Sequence, residues 1–419
     1  MGIIIRCIMI IAVLFVTRLN VFAAFDDLQA SKSELIKRYY KLGGMPLWPR
    51  GGRGDTTIYQ LFKQLLDSCA YEGLDKDDYH YDRLFAVRLK GYPDTTWQQL
   101  YTNAIIYYCK DICEGTGIGN IISYNGLPEL SYDPLLRKIA EIETKADLEK
   151  LVGSLQPAIQ PFNLLKNEIR EAILNNNALK ISRLKNSMNC LRWISHFQFQ
   201  KCVVVNIPSA TLNYYEKNDV ILNMKIVAGK PSTKTPRFAA YCNEVILYPY
   251  WHVPRSIAVN ELLPVFKRRP AALAYMNLQV LDSRGRIVAP STINWKQYNK
   301  YNFPYQLRQS TGCDNALGVI KFNLTSPYSV YMHDTNLKGA FTSQNRYLSH
   351  GCIRIEKPVQ LANYLIPNKI DSAFLQACIR NQRPVVYKLE EQVPVFVLYM
   401  TAWTDEAGGV IYYKDIYNL

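Results

Sequence analysis

Cys202-Val203-Val204-Val205-Asn206-Ile207 is where the chain changes character. β-Branched residues in an unbroken run fit a pleated, buried strand better than a helix. Leu212-Asn213-Tyr214-Tyr215 follows, a turn falls over Glu216 to Asp219, and Val220 to Val227 reads as strand again, which predicts a meander that Val245-Ile246-Leu247-Tyr248 continues. Upstream, from about Leu28 to Ile194, the apolar residues keep helical spacing: Leu61, Leu65 and Leu66; Leu135, Leu136, Ile139 and Ile142; Ile181, Leu184, Met188 and Leu191. The change-over predicts an α+β chain, helical first and mainly β afterwards. Residues 255 to about 318 interrupt the strand pattern with mixed polar and basic sequence. Strands resume at Val330-Tyr331-Met332 and return at Val395 to Tyr399 and Val410 to Tyr413. Pro358, followed by Val359, Leu361 and Leu365, predicts a helix that starts there.

Within the β part lies Ser349-His350-Gly351-Cys352-Ile353-Arg354, with His333 nineteen positions before Cys352 in Tyr331-Met332-His333-Asp334-Thr335. A Cys attacks as thiolate, and a free thiol is mostly protonated at neutral pH. An imidazole can take that proton and later return it to a leaving amine. Gly351 permits a tight turn, and its backbone N–H and that of Cys352 are candidate donors to an oxyanion. The helix from Pro358 is expected to aim its positive end at the Cys352 loop. The implied chemistry is acyl transfer through a thioester. No cofactor is expected. Cys109 and Cys113 are four apart, but no second pair at zinc-ligand spacing accompanies them, so no metal is expected either. Gly115-Thr116-Gly117-Ile118-Gly119 lacks the third Gly of a dinucleotide fingerprint. Arg53-Gly54-Asp55 needs only a turn.

Residues 1–23 contain Arg6, the apolar run Cys7 to Val16, and Val21-Phe22-Ala23. That pattern predicts a secretory signal peptide cleaved after Ala23, hence a periplasmic protein; an uncleaved inner-membrane anchor is the alternative. The formal charge is +14, and loss of Arg6 and Arg18 leaves +12. A basic exported protein suits an anionic polymer such as peptidoglycan. No helix-turn-helix, zinc-finger or RNP pattern supports a nucleic-acid partner. Of ten cysteines, nine remain after such cleavage. An odd number leaves at least one unpaired, and Cys352 is the natural candidate.

A His, fifteen residues, then Ser-His-Gly-Cys-x-Arg resembles the active-site signature of the L,D-transpeptidases, the cell-wall cross-linking enzymes of bacteria. Arg354, where many members carry Asn, points to the large periplasmic type with a helical scaffold. The resemblance implies a scaffold over 24–198, with its peptidoglycan-binding module missing or reduced. It implies a catalytic domain over 199–419 with a capping lid at about 255–318. It makes Cys352 the nucleophile and His333 the proton acceptor and donor. Tyr331 and Trp251 would line the substrate groove, Arg354 would hold a substrate carboxylate or brace the loop, and Ser349 and His350 would shape it. The implied reaction cross-links peptidoglycan stem peptides, releasing D-Ala from a tetrapeptide donor, with carbapenems as inhibitors. A carboxypeptidase or endopeptidase that hydrolyses the same thioester, and a non-catalytic wall-binding protein, are the alternatives.

Overall fold

The computed structural model describes residues 32–47, 56–85, 94–118, 122–124, 127–128, 131–405 and 407–419. The expected signal peptide and the Arg53-Gly54-Asp55 turn lie outside these residues. Among the described residues no helix is long and apolar enough to cross a membrane.

The chain divides into two units, and it passes between them five times rather than once near residue 199. Unit one comprises Met1–Ile121, Pro128–Gln198 and Met400–Tyr412; unit two comprises Ile122–Leu127, Phe199–Tyr399 and Tyr413–Leu419. The physical reasons are local pairings: the short strand β1 (Ser123–Tyr124) adds to a strand of unit two, and a hairpin beyond Met400 packs on two helices of unit one.

Unit one is helical. Its main helices are α1 (Thr57–Asp67), α2 (Thr95–Glu114), α3 (Asp133–Ala140), α4 (Lys145–Leu155), α5 (Gln160–Leu174) and α6 (Ala178–His196). The starts of α2, α4 and α6 carry caps that satisfy otherwise orphaned N–H groups. Asp94 accepts from Trp97 N–H at 2.7 Å, Thr144 and Asp147 form a capping box, and Asn177 accepts from Lys180 N–H at 3.1 Å. Leu61, Phe62, Tyr101, Tyr108, Leu136 and Leu148 fill its core. The guanidinium of Arg192 is fully buried there. It donates to Glu72 O at 2.7 Å and to Gln156 Oε1 at 3.2 Å, with the Glu72 carboxylate at 3.5 Å.

Unit two is mainly β. Its strands in order are β2 (Lys201–Asn206), β3 (Thr211–Glu216), β4 (Asp219–Gly229), β5 (Phe238–Leu247), β6 (Trp251–His252), β7 (Leu278–Leu281), β8 (Ile287–Val288), β9 (Gln306–Gln309), β10 (Ile320–Leu324), β11 (Met332–His333), β12 (Tyr347–Ser349), β13 (Ile353–Ile355) and β14 (Val385–Leu398). The main sheet runs β5-β10-β11-β13-β4-β3-β2-β14, and β14 also pairs β5, so the strands close on themselves. Val203, Val205, Phe322, Met332, Ile353, Ile355, Val395 and Val397 point into the enclosed core. Helix α7 (Pro358–Leu365) adds Leu361 and Ala362 to it. The hairpin of unit one is β15 (Ala402–Thr404) with β16 (Val410–Tyr412).

The expected meander is present, with β3 and β4 joined through Lys217 at φ 56°. The insertion after Trp251 is not a mere break in strand pattern. It has its own sheet, β6-β9-β7-β8, and its own core of Ile257, Phe266, Leu273, Val280, Trp295 and Phe303.

Candidate active site

Three adjacent strands of unit two set the site. β10 runs antiparallel to β11, and β11 runs parallel to β13. The register places Lys321 opposite His333 and His333 opposite Arg354. Side chains alternate across a sheet. Phe322, Met332, Ile353 and Ile355 enter the core, so Lys321, His333 and Arg354 form a row on the other face. Tyr331 and Cys352 lie two residues before His333 and Arg354, which extends the same face.

The loop that carries Cys352, the expected nucleophile, is fastened from behind. Ser349 Oγ donates to Cys352 O at 2.6 Å and accepts from Gly351 N–H at 3.1 Å. The Ser349 carbonyl accepts from Lys230 N–H and from Thr233 Oγ1, both at 3.0 Å. Thr235 Oγ1 donates to Gly351 O at 2.8 Å. Tyr417 in turn donates from its hydroxyl to Gly229 O at 2.6 Å. Gly351 has φ 120°, and a Cβ there would meet nothing nearer than 3.7 Å. Backbone angle, not space, calls for glycine. Its N–H, expected as an oxyanion donor, is engaged by Ser349 Oγ. A substrate oxyanion would have to compete for it.

The helix expected to polarise Cys352 is placed elsewhere. α7 begins at Pro358 as the sequence predicts, but strand β13 intervenes. Three extended residues carry the chain roughly 10 Å, so the helix start is at the far end of β13 from Cys352 and its dipole does not serve the thiol.

Tyr331 serves it instead. Burial pushes the Cys352 thiol up; the Tyr331 backbone N–H and hydroxyl oppose that, followed by the charges of Lys321 and Arg354. The Trp251 side chain donates to the Tyr331 hydroxyl, so Trp251, Tyr331 and Cys352 form a chain of donors ending at sulfur. His333 is 4% exposed. Its pKa is pushed down to about 3, by burial first and then by Arg354, with Lys321 adding to the effect. Its Nδ1 contacts the Asp334 carbonyl. That bond assigns the proton to Nδ1 and leaves Nε2 as the basic nitrogen. The resting pair is therefore a thiol and a neutral imidazole.

Two contributors were not singled out from sequence. Lys321 becomes visible only through strand register. Asp334 is buried; its Oδ2 accepts from Val319 N–H at 3.0 Å and its carboxylate pairs with Lys338. It thereby fixes the backbone that orients His333. His350 is exposed, and its Nε2 lies 2.8 Å from Glu261 Oε1 in the inserted subdomain. Arg354 is half-buried with no carboxylate partner among the described residues, and its Nε is buried without a hydrogen bond. Of its two expected roles, bracing through an acidic neighbour is not what this geometry offers.

Residues 200–385 match the family model for the L,D-transpeptidase catalytic domain. Residues 33–169 match a scaffold-domain model. This chain carries an L,D-transpeptidase catalytic domain. A Haemophilus influenzae protein provisionally named an L,D-transpeptidase is 35% identical over 235 residues, covering 56% of this chain and 47% of that protein. The chain thus spans about half the length of that curated relative. Among solved structures, an L,D-transpeptidase from Mycobacterium smegmatis matches at 16% identity and TM-score 0.22, over 48% of this chain and 58% of that one. The catalytic domain of an Enterococcus faecium L,D-transpeptidase acylated by ertapenem matches at 15% identity and TM-score 0.23, over 48% and 97%.

Proposed function

We propose that this chain is an L,D-transpeptidase that cross-links peptidoglycan stem peptides. The observation that carries the reading is the row Lys321–His333–Arg354 with Tyr331 and Cys352 on one face, inside the matched catalytic domain. Cys352 sulfur attacks the carbonyl between the L-centre of a diamino acid and D-Ala. His333 Nε2 takes the thiol proton and passes it to the departing amine. D-Ala leaves and a thioester remains. The side-chain amine of a second stem attacks the thioester, His333 removes its proton and returns it to the Cys352 sulfur as the C–S bond breaks, and an amide cross-link forms.

A neutral imidazole suits this order of events. A base already protonated could not accept from sulfur, and the low His333 pKa keeps it free at pH 7. Tyr331 then supports the developing thiolate. We place the protein in the periplasm, on the apolar run Cys7 to Val16 and the disulfide Cys313–Cys378, a bond typical of oxidising compartments. By the same mechanism a carbapenem would acylate Cys352.

The test is incubation of the protein with disaccharide-tetrapeptide, followed by mass spectrometry. Cross-linked dimer and free D-Ala are expected from wild type, and neither from Cys352→Ala. Tripeptide without dimer would move the reading to hydrolysis. Activity retained in Cys352→Ala would end it.

A further inference from the structure

Lys321 stands beside the reacting pair, its charge acting on both, with no anionic partner of its own among the described residues. Its Nζ lies 4.2 Å from the centroid of the Tyr331 ring. No described carboxylate is within ion-pair distance of it. The Cys352 thiol and then the Glu244 carboxylate are the acids whose fields reach it, and Glu244 Oε2 already accepts from Asn323 Nδ2 at 2.8 Å. Across β11, Arg354 is equally unpaired, with a buried Nε that lacks a partner. A buried donor left unsatisfied is costly, which makes this an unfinished recognition site rather than a finished structural one. Adjacent strands are about 4.8 Å apart, so the two cations start roughly 10 Å apart with His333 between them. Both side chains are long enough to converge on one small anion.

The reaction specifies where that anion lies. As the S–C bond forms and the C–N bond breaks, the thiol proton reaches the leaving nitrogen through His333 Nε2. The carboxylate of the departing amino acid is attached one carbon from that nitrogen. It must therefore sit beside His333, between the two cations. Resting on the transpeptidase reading above, we infer that Lys321, together with Arg354, clamps the free carboxylate of the leaving residue and so selects donors that end one residue past the scissile bond. A longer donor presents a neutral amide at this place. Release of the amino acid also removes the negative charge, so the clamp is empty when the acceptor arrives.

The experiment compares acylation of Cys352 by disaccharide-tetrapeptide and by the same donor with its C-terminus amidated. Intact-protein mass gives kcat/KM for each. Wild type is expected to favour the free acid by about tenfold or more, the scale of one charge-assisted hydrogen bond. Lys321→Met should erase most of that preference by slowing the free acid more than the amide, whatever change in Cys352 reactivity the two donors share, and Lys321→Arg should retain it. Equal slowing of both donors in Lys321→Met, or an unchanged preference, overturns the inference. A second measurement needs no peptide: alkylation of Cys352 by iodoacetate against iodoacetamide, in which sulfur displaces iodide. Lys321→Met should lower the iodoacetate-to-iodoacetamide rate ratio several-fold, and Lys321→Arg should restore it. If neither peptide donor acylates the wild type, the transpeptidase reading fails, and this ratio alone decides the clamp: an unchanged ratio overturns it.

Discussion

His333, the base of the proposed mechanism, is kept in a setting that repels protons, with burial, Arg354 and Lys321 all lowering its pKa. Two consequences are measurable. His333→Gln should slow thioester formation by at least about a hundredfold, the usual contribution of a positioned base, while His350→Gln costs less. Single-turnover acylation rates compare them, and a larger loss at His350 would reverse their roles. The second consequence concerns stability. The folded pKa, about 3, is below the ordinary 6.5. Between those values the unfolded chain binds a proton that the folded site refuses, so stability present above pH 6.5 is lost as pH falls toward 3. The loss is on the order of a few kcal/mol. Urea midpoints at pH 7 and pH 4 should separate less in His333→Gln than in wild type. Tyr331→Phe removes one donor to sulfur, and the pH midpoint of Cys352 alkylation should rise. Spacing alone singles out Cys352 and His333, because a Cys/His motif with a Gly between is rare by chance. Lys321 has no such signature: it is one Lys among many until β10 is laid beside β11.

Among the elements, the turn into β10 governs how well His333 is held. Gly318 has φ 58°, and a Cβ there would lie 2.2 Å from Asp334 Oδ2. Gly318→Ala should therefore disturb both the turn and the carboxylate behind His333. A cost of about 1–3 kcal/mol follows from the strained angle, and chemical denaturation with acylation rates would show stability and activity falling together. The inserted subdomain illustrates what periodicity misses. Its strands are two to four residues long, too short for alternation to register. Pro270 to Gln279, in the middle of the insertion, contains buried Leu273 and Leu278 and the start of β7. Deleting it would remove core. Glu261→Ala is the better probe of whether the subdomain screens Cys352 from water. Exposed pairs contribute about 0–1 kcal/mol, so its melting point should hardly move. A raised ratio of hydrolysed tripeptide to cross-linked dimer would identify a water-excluding lid, and an unchanged ratio would exclude it. The displaced helix dipole has a similar origin: Ile353-Arg354-Ile355 is too short a strand to be seen before Pro358.

At the scale of the molecule, each unit has its own lock. In unit one Arg192 is fully buried among Glu72, Gln156 and Phe162. Removing one partner of a buried charged group leaves the rest uncompensated. Arg192→Ala should cost about 3 kcal/mol by urea denaturation. In unit two the Cys313–Cys378 disulfide closes a span of 65 residues. Chain entropy values such a closure at about 4 kcal/mol, and the double Cys→Ser variant should lose on that order. The helical-then-β order of the chain was legible from periodicity, which long, regular segments display. The five passages between units were not, because β1 and the β15–β16 hairpin are short and join through pairing that no local pattern announces. That interleaving has a practical meaning. A protease cutting once between Gln198 and Phe199 would release no free module. The hairpin of the second fragment would still pack on α5 and α6 of the first, and β1 of the first would still pair with β5 of the second. The nicked protein should behave as complementing halves, one band in a native gel and two once denatured.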